Sequence, residues 1–229
     1  MNSSAIDSDC TNELPSGRAL GAAPCSPVAV LFVRADSVYK SIEGVDAWDA
    51  ERNALRWSGG MPIVAHPPCR AWGRLKHMAN PRPGERELAL WAVCMVRIWG
   101  GVLEHPAGSG LWEAAKLPPV GERDGWGGWT LAAPQSWWGH RAEKKTRFYI
   151  IGCQPNEIPS VPIVLGDAPC VIANGTTNHI PQGESGWRPE VHRWEREATP
   201  PALAVWLVEL ARICRANGAL SNGGTATNE

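Results

Sequence analysis

The sequence predicts an α/β fold built on a mostly parallel β-sheet. Three observations lead there. Val28-Ala29-Val30-Leu31-Phe32-Val33 is an unbroken apolar run of strand length, the pattern of a strand covered on both faces. Met61-Pro62-Ile63-Val64-Ala65 is a second such run, bounded by Gly59-Gly60 and by Pro67-Pro68. Glu85 to Trp99 carries a helical period and leads through Gly100-Gly101 into a short strand at Val102-Leu103. Strand, helix and strand at this length read as a crossover joining parallel neighbours.

The elements follow in chain order. Residues 1–27 are rich in Ser, Asn, Gly, Ala and Pro without apolar periodicity, which predicts a flexible tail. Arg34 to Ile42 hold a loop and one or two helical turns, and Gly44 to Asp49 a second short strand ending in acids. Ala50 to Trp57 reads as a helix with Ala54, Leu55 and Trp57 inward. In the helix over 85–99, Leu88, Trp91, Ala92, Met95, Ile98 and Trp99 form the expected buried stripe. Residues 107–134 give no assignment, and Thr146 to Ile151 reads as a strand. Thr199-Pro200-Pro201 opens a last helix with Thr199 as N-cap, a stripe of Leu203, Trp206, Leu207, Leu210 and Ile213, and Gly218 as its end. The α/β domain is therefore expected over 28–151 plus 196–218, with a loop-rich recognition region at 152–195 and a disordered tail at 219–229.

Composition narrows the function. A formal net charge of −1 excludes a global basic footprint for nucleic acid, so such binding needs local patches. The seven cysteines are scattered, without paired metal-ligand spacing, which points to reduced thiols in a cytoplasmic compartment. No signal peptide and no apolar run of membrane-spanning length is expected. Thirteen tryptophans against two Phe and two Tyr suit either a Trp-rich core or stacking on bases.

The chemistry-bearing residues stand where strands end. Cys69 follows the strand at 61–65 on a loop stiffened by Pro67 and Pro68, and Glu104-His105-Pro106 closes the next strand. Ligands of parallel α/β sheets bind at the carboxyl ends of strands. The order continues with Gln135-Ser136-Trp137-Trp138-Gly139-His140 and Lys145-Thr146-Arg147. A thiolate adding to carbon 6 of a pyrimidine turns carbon 5 into a nucleophile, and a carboxyl kept protonated by burial can neutralise nitrogen 3.

In this order and placement the chain resembles the cytosine-5 DNA methyltransferases, especially short divergent forms of phages and prophages. The resemblance implies a Rossmann-like, methyltransferase-like sheet with a reduced N-terminal half and a small loop-rich C-terminal excursion. It implies DNA as partner, with Cys69 attacking a flipped cytosine, Glu104 holding nitrogen 3 and the exocyclic amine, and Arg147 supporting the flipped nucleotide. Arg70, Arg74, Gln135, His140 and Lys145 are then expected toward DNA, with the nearby arginines also lowering the Cys69 pKa. The implied cofactor is S-adenosylmethionine, with Phe32, Asp46, Asp49 and Pro67 expected against it. The chain departs from the family at Phe32-Val33-Arg34-Ala35-Asp36-Ser37, where a glycine-rich turn is usual and no glycine stands. Two alternatives stay open: a DNA-binding relative that lost the cofactor site, and a metal site from His66, Cys69, His105 and His140. The ligand spacing is poor, and no metal is expected.

Overall fold

The computed structural model describes residues 25–73, 76–172 and 180–215. Six strands, β1 (Val28–Leu31), β2 (Val45–Trp48), β3 (Ile63–Ala65), β4 (Gly101–Pro106), β5 (Trp129–Pro134) and β6 (Lys145–Ile151), form one sheet in the order β2-β1-β3-β4-β6-β5. The first four in that order are parallel neighbours, and β6 lies antiparallel between β4 and β5. The fold is thus α/β with a mostly parallel sheet. From β1 the chain moves to one side to make β2 and then to the other to make β3. The topological switch point therefore lies between the carboxyl ends of β1 and β3.

Helices cover both faces, which is why the central strands read as unbroken apolar runs. Helix α1 (Glu85–Trp99) packs Ala89, Ala92, Val93 and Val96 onto Ala29, Leu31, Ile63 and Leu103. Short helices α2 (Leu111–Ala114) and α3 (Arg193–Glu197) follow, and α4 (Pro201–Ile213) packs Leu203, Leu207 and Leu210 onto Val30, Val64, Val102 and Phe148. Alternation along β4 therefore turns Glu104 toward the α4 face and His105 toward the α1 face. Among the described residues no helix is long and apolar enough to cross a membrane.

Several sequence expectations need correction. The buried stripe of α1 is rotated from the expected one: its small residues face the sheet, and Ile98 is exposed. Small side chains let the helix lie close, while the larger Trp91, Met95 and Trp99 flank the contact only partly buried. The expected helix over 50–57 is only a 3-10 turn at Ala54–Arg56, held by the Asn53 side chain. Pro200, not Thr199, is the N-cap of α4, with no side-chain cap bond. Pro201 occupies the first turn, where its missing N–H costs nothing. The helix ends at Ile213, so the end expected at Gly218 and the tail at 219–229 lie outside the described residues, as do residues 1–24 of the N-terminal tail. Within 152–195, Cys170 and Val191 pack on Ala142 through short bridges.

Gly101 lets β3 and β4 approach. Its φ is 116°, and a methyl group there would overlap the Ile63 backbone. Gly101→Ala is therefore expected to destabilise the protein by roughly 3 kcal/mol, measured by urea denaturation.

Candidate active site

Cys69 and Glu104 stand at the carboxyl ends of the adjacent parallel strands β3 and β4. Cys69 opens a tight turn, its carbonyl accepting from the amides of Trp72 and Gly73. Pro67 is buried beneath that turn. The residue surface of Cys69 reaches solvent, yet protein atoms crowd its sulfur. Burial first and the negative Glu104 second raise the thiol pKa, while Lys144 opposes them.

Glu104 is 12% exposed and is held by three side chains. Gln135 Nε2 and Thr146 Oγ1 donate to its Oε1, each at 3.0 Å. His66 Nδ1 lies 3.1 Å from Oε2. Burial alone would raise the carboxyl. The His66 hydrogen bond and charge, then Lys144 and His105, outweigh it and bring the pKa down to about 2. The expectation of a carboxyl kept protonated by burial is thus overturned: in the free protein Glu104 is an ionised acceptor. Behind it, the Tyr39 hydroxyl lies 2.8 Å from His66 Nε2. Burial first, then Glu104, raises the Tyr39 phenol well above its usual range, so it keeps its proton, donating to Nε2 when that nitrogen is bare and accepting from it when it carries a proton. His66 Nδ1 faces the ionised carboxylate and can only donate to it.

Register decides which residue of β6 meets Glu104. Glu104 pairs with Phe148, and His105 with Arg147. Thr146 therefore shares the Glu104 face, and Arg147 turns to the opposite face with its guanidinium 5.7 Å from the Trp112 ring centre. Lys144 is the cation that reaches this neighbourhood. Its Nζ donates to the Ala198 carbonyl, and its charge acts on Glu104 and Cys69. Burial lowers its own pKa. Thr146 and Lys144 had one readable signal, the two-residue period of a strand whose Lys145 is exposed.

Other expected residues are committed elsewhere. Arg70 is bound to Glu85, which also caps the Arg82 amide, so its guanidinium is committed to that ion pair rather than to phosphate, while its charge still couples to the Cys69 thiolate. Gln135 is buried and serves Glu104 rather than DNA. His140 is buried between backbone groups: its Nδ1 lies against the Ala142 carbonyl and amide, and its Nε2 lies 3.1 Å from the Glu195 carbonyl. Lys145 is exposed beside Glu143. Arg74 lies outside the described residues. Asp46 holds Arg52 and the Trp48 indole, and Asp49 holds Lys40 and two backbone amides. Phe32, at φ 64°, turns the chain after β1 and sets its ring against Trp91.

The metal alternative fails on geometry. His66 and His105 lie on opposite faces of the sheet, His140 is bonded to backbone, and no group of three or more His, Cys, Asp or Glu among the described residues is arranged to hold a metal ion. No protein-family model, curated protein or solved structure matches the chain.

His105 is fully buried, and among the described residues neither ring nitrogen has a partner in good hydrogen-bond geometry. Burial lowers its pKa to about 4, against the opposing pull of Glu104 and the Pro68 backbone. Both depressed groups give the same sign: stability is full above the unfolded-state pKa and is lost as pH falls toward the folded one. Loss is expected from about pH 6.5 to 4 for His105 and from about 4.5 to 2 for Glu104. Urea melts across this range should show both phases, with His105→Leu removing the upper one, a loss on the order of 2 kcal/mol. Alkylation of Cys69 followed by mass spectrometry should titrate above the usual thiol range, higher still in Lys144→Met and lower in Glu104→Gln.

Proposed function

We propose that the chain modifies DNA by adding Cys69 to carbon 6 of a flipped cytosine, the chemistry of the cytosine-5 DNA methyltransferases it resembles. The observation that carries this reading is the shared position of Cys69 and Glu104 at the ends of neighbouring parallel strands, within reach of one another's charge. Glu104 is also poised for a ligand. Three donors fill three of its roughly four acceptor positions, leaving one on Oε2 for an exocyclic amine. Residues 70–87 hold five Lys and Arg against two Glu in a chain of net charge −1, a local excess suited to phosphate. Of these, Lys76, Arg82 and Arg86 line an open cavity of about 370 Å³ beside the Cys69 turn.

The cofactor of that family does not fit the residues present. The turn after β1 has no glycine, and Phe32 itself takes the left-handed conformation. Asp46 and Asp49, the acids available for a ribose, already hold Arg52 and Lys40. At the switch point, the end of β3 presents His66 bound to Tyr39 and Glu104. The same observations favour a second reading, a DNA-binding relative that has given up methyl transfer.

Addition at carbon 6 has a signature that needs no cofactor. Once sulfur bonds carbon 6, carbon 5 takes a proton from solvent, and loss of the other proton with release of sulfur regenerates cytosine. In heavy water, the wild type should exchange the carbon-5 hydrogen of cytosine in DNA, read by mass spectrometry, and Cys69→Ala should lower the rate at least about 100-fold. DNA binding without exchange would favour the second reading. Calorimetry with S-adenosylmethionine should show no binding heat.

A further inference from the structure

Resting on the cysteine-adduct reading above, we infer that His66 is the proton source for Glu104, set in its role by Tyr39. An ionised Glu104 cannot protonate a ring nitrogen unless it first receives a proton. The group touching its Oε2 is His66 Nδ1, 3.1 Å away. Gln135 and Thr146 serve the other oxygen and do not titrate in the working range.

Tyr39 makes the histidine two-state. It is fully buried, and among the described residues its hydroxyl pairs with His66 Nε2 alone. When His66 is neutral, the phenol donates to Nε2 and every polar atom of the pair is satisfied. When His66 is an imidazolium, the phenol oxygen accepts from Nε2–H and its own proton lacks a protein acceptor, while Nδ1–H gains an ion pair with Glu104. The gain in one state is set against the loss in the other, so the proton is held without being locked.

The step balances within the site. As the Cys69 thiolate forms the sulfur–carbon 6 bond, the carbon 5–carbon 6 π pair moves to carbon 4–carbon 5, and the carbon 4–nitrogen 3 π pair moves onto nitrogen 3. Nitrogen 3 takes a proton from the Glu104 carboxyl, Glu104 takes one from imidazolium His66 at Nδ1, and His66 is left neutral with its remaining proton on Nε2, donated to the Tyr39 oxygen. Elimination of sulfur reverses each transfer. The groups that bear on this proton are Tyr39 from the 3-10 turn Val38–Ser41, Glu104 and His105 from β4, Lys144 before β6, Cys69 on the loop after β3, and Glu197 at the end of α3. His66 acts through Glu104 and is therefore a positioning residue.

The test is the pH profile of carbon-5 hydrogen exchange on cytosine-containing DNA in heavy water. The wild type should give a bell: thiolate formation raises the rate with pH, and loss of the His66 proton lowers it again. His66→Gln keeps a donor toward Glu104 but cannot titrate, so its peak rate should fall about 100-fold and the alkaline limb should vanish. Tyr39→Phe removes the hydrogen-bond partner of Nε2 and should lower the peak rate without weakening DNA binding. Added imidazole should restore exchange to His66→Ala, which covers the case of a poorly folded Gln variant. An unchanged rate and profile in His66→Gln would overturn the relay and leave the cysteine reading standing. A wild type that binds DNA and never exchanges would overturn both.

Discussion

Everything at the carboxyl edge of this sheet depends on keeping one carboxylate, Glu104, ionised where little water reaches it. A buried charge is costly unless its lone pairs are filled. Three stretches of chain supply the means: His66 after β3, Gln135 directly after β5, and Lys144 with Thr146 at the start of β6. Each partner is held in turn, His66 by Tyr39 and Gln135 by Thr146. The sheet fixes the spacing, because β3, β4 and β6 are consecutive neighbours. Thr146 and Glu104 thus meet through strand register rather than through a flexible loop.

The same carboxylate shapes Cys69. Its charge adds to burial in raising the thiol pKa, and Lys144 works against it. In the free protein the Cys69 thiol is therefore held above its usual range. A ligand that engages Glu104 and moves its charge toward neutrality would relax that restraint.

Much of the fold was legible because burial leaves a pattern. Val28–Leu31 and Ile63–Ala65 are covered on both faces and read as unbroken apolar runs, and α1 matches its expected span from Glu85 to Trp99. The orientation of α1 was not legible, since the period alone does not say whether the large or the small residues meet the sheet. At the site, the strand ends of Cys69 and Glu104 could be read. The state of Glu104 could not, because it is set by partners 31 to 42 residues away. Arg147 shows how a one-residue register difference reverses a role: the motif is present, but β4 and β6 pair so that Thr146 faces the carboxylate. His140 reads as a polar contact residue in sequence and is a buried bracket for backbone in the fold.

The central claim is that Cys69 attacks a pyrimidine held by Glu104. It is tested most directly by intact-mass analysis of the protein after incubation with duplex DNA carrying 5-azacytosine. The ring nitrogen at position 5 draws electrons from carbon 6, and after addition and protonation there the adduct has no cofactor step to await. The account predicts a covalent protein–DNA species in the wild type, mapped to Cys69 by peptide sequencing and absent in Cys69→Ser. Tight binding of that DNA with no covalent species, or an adduct at any other cysteine, would contradict it.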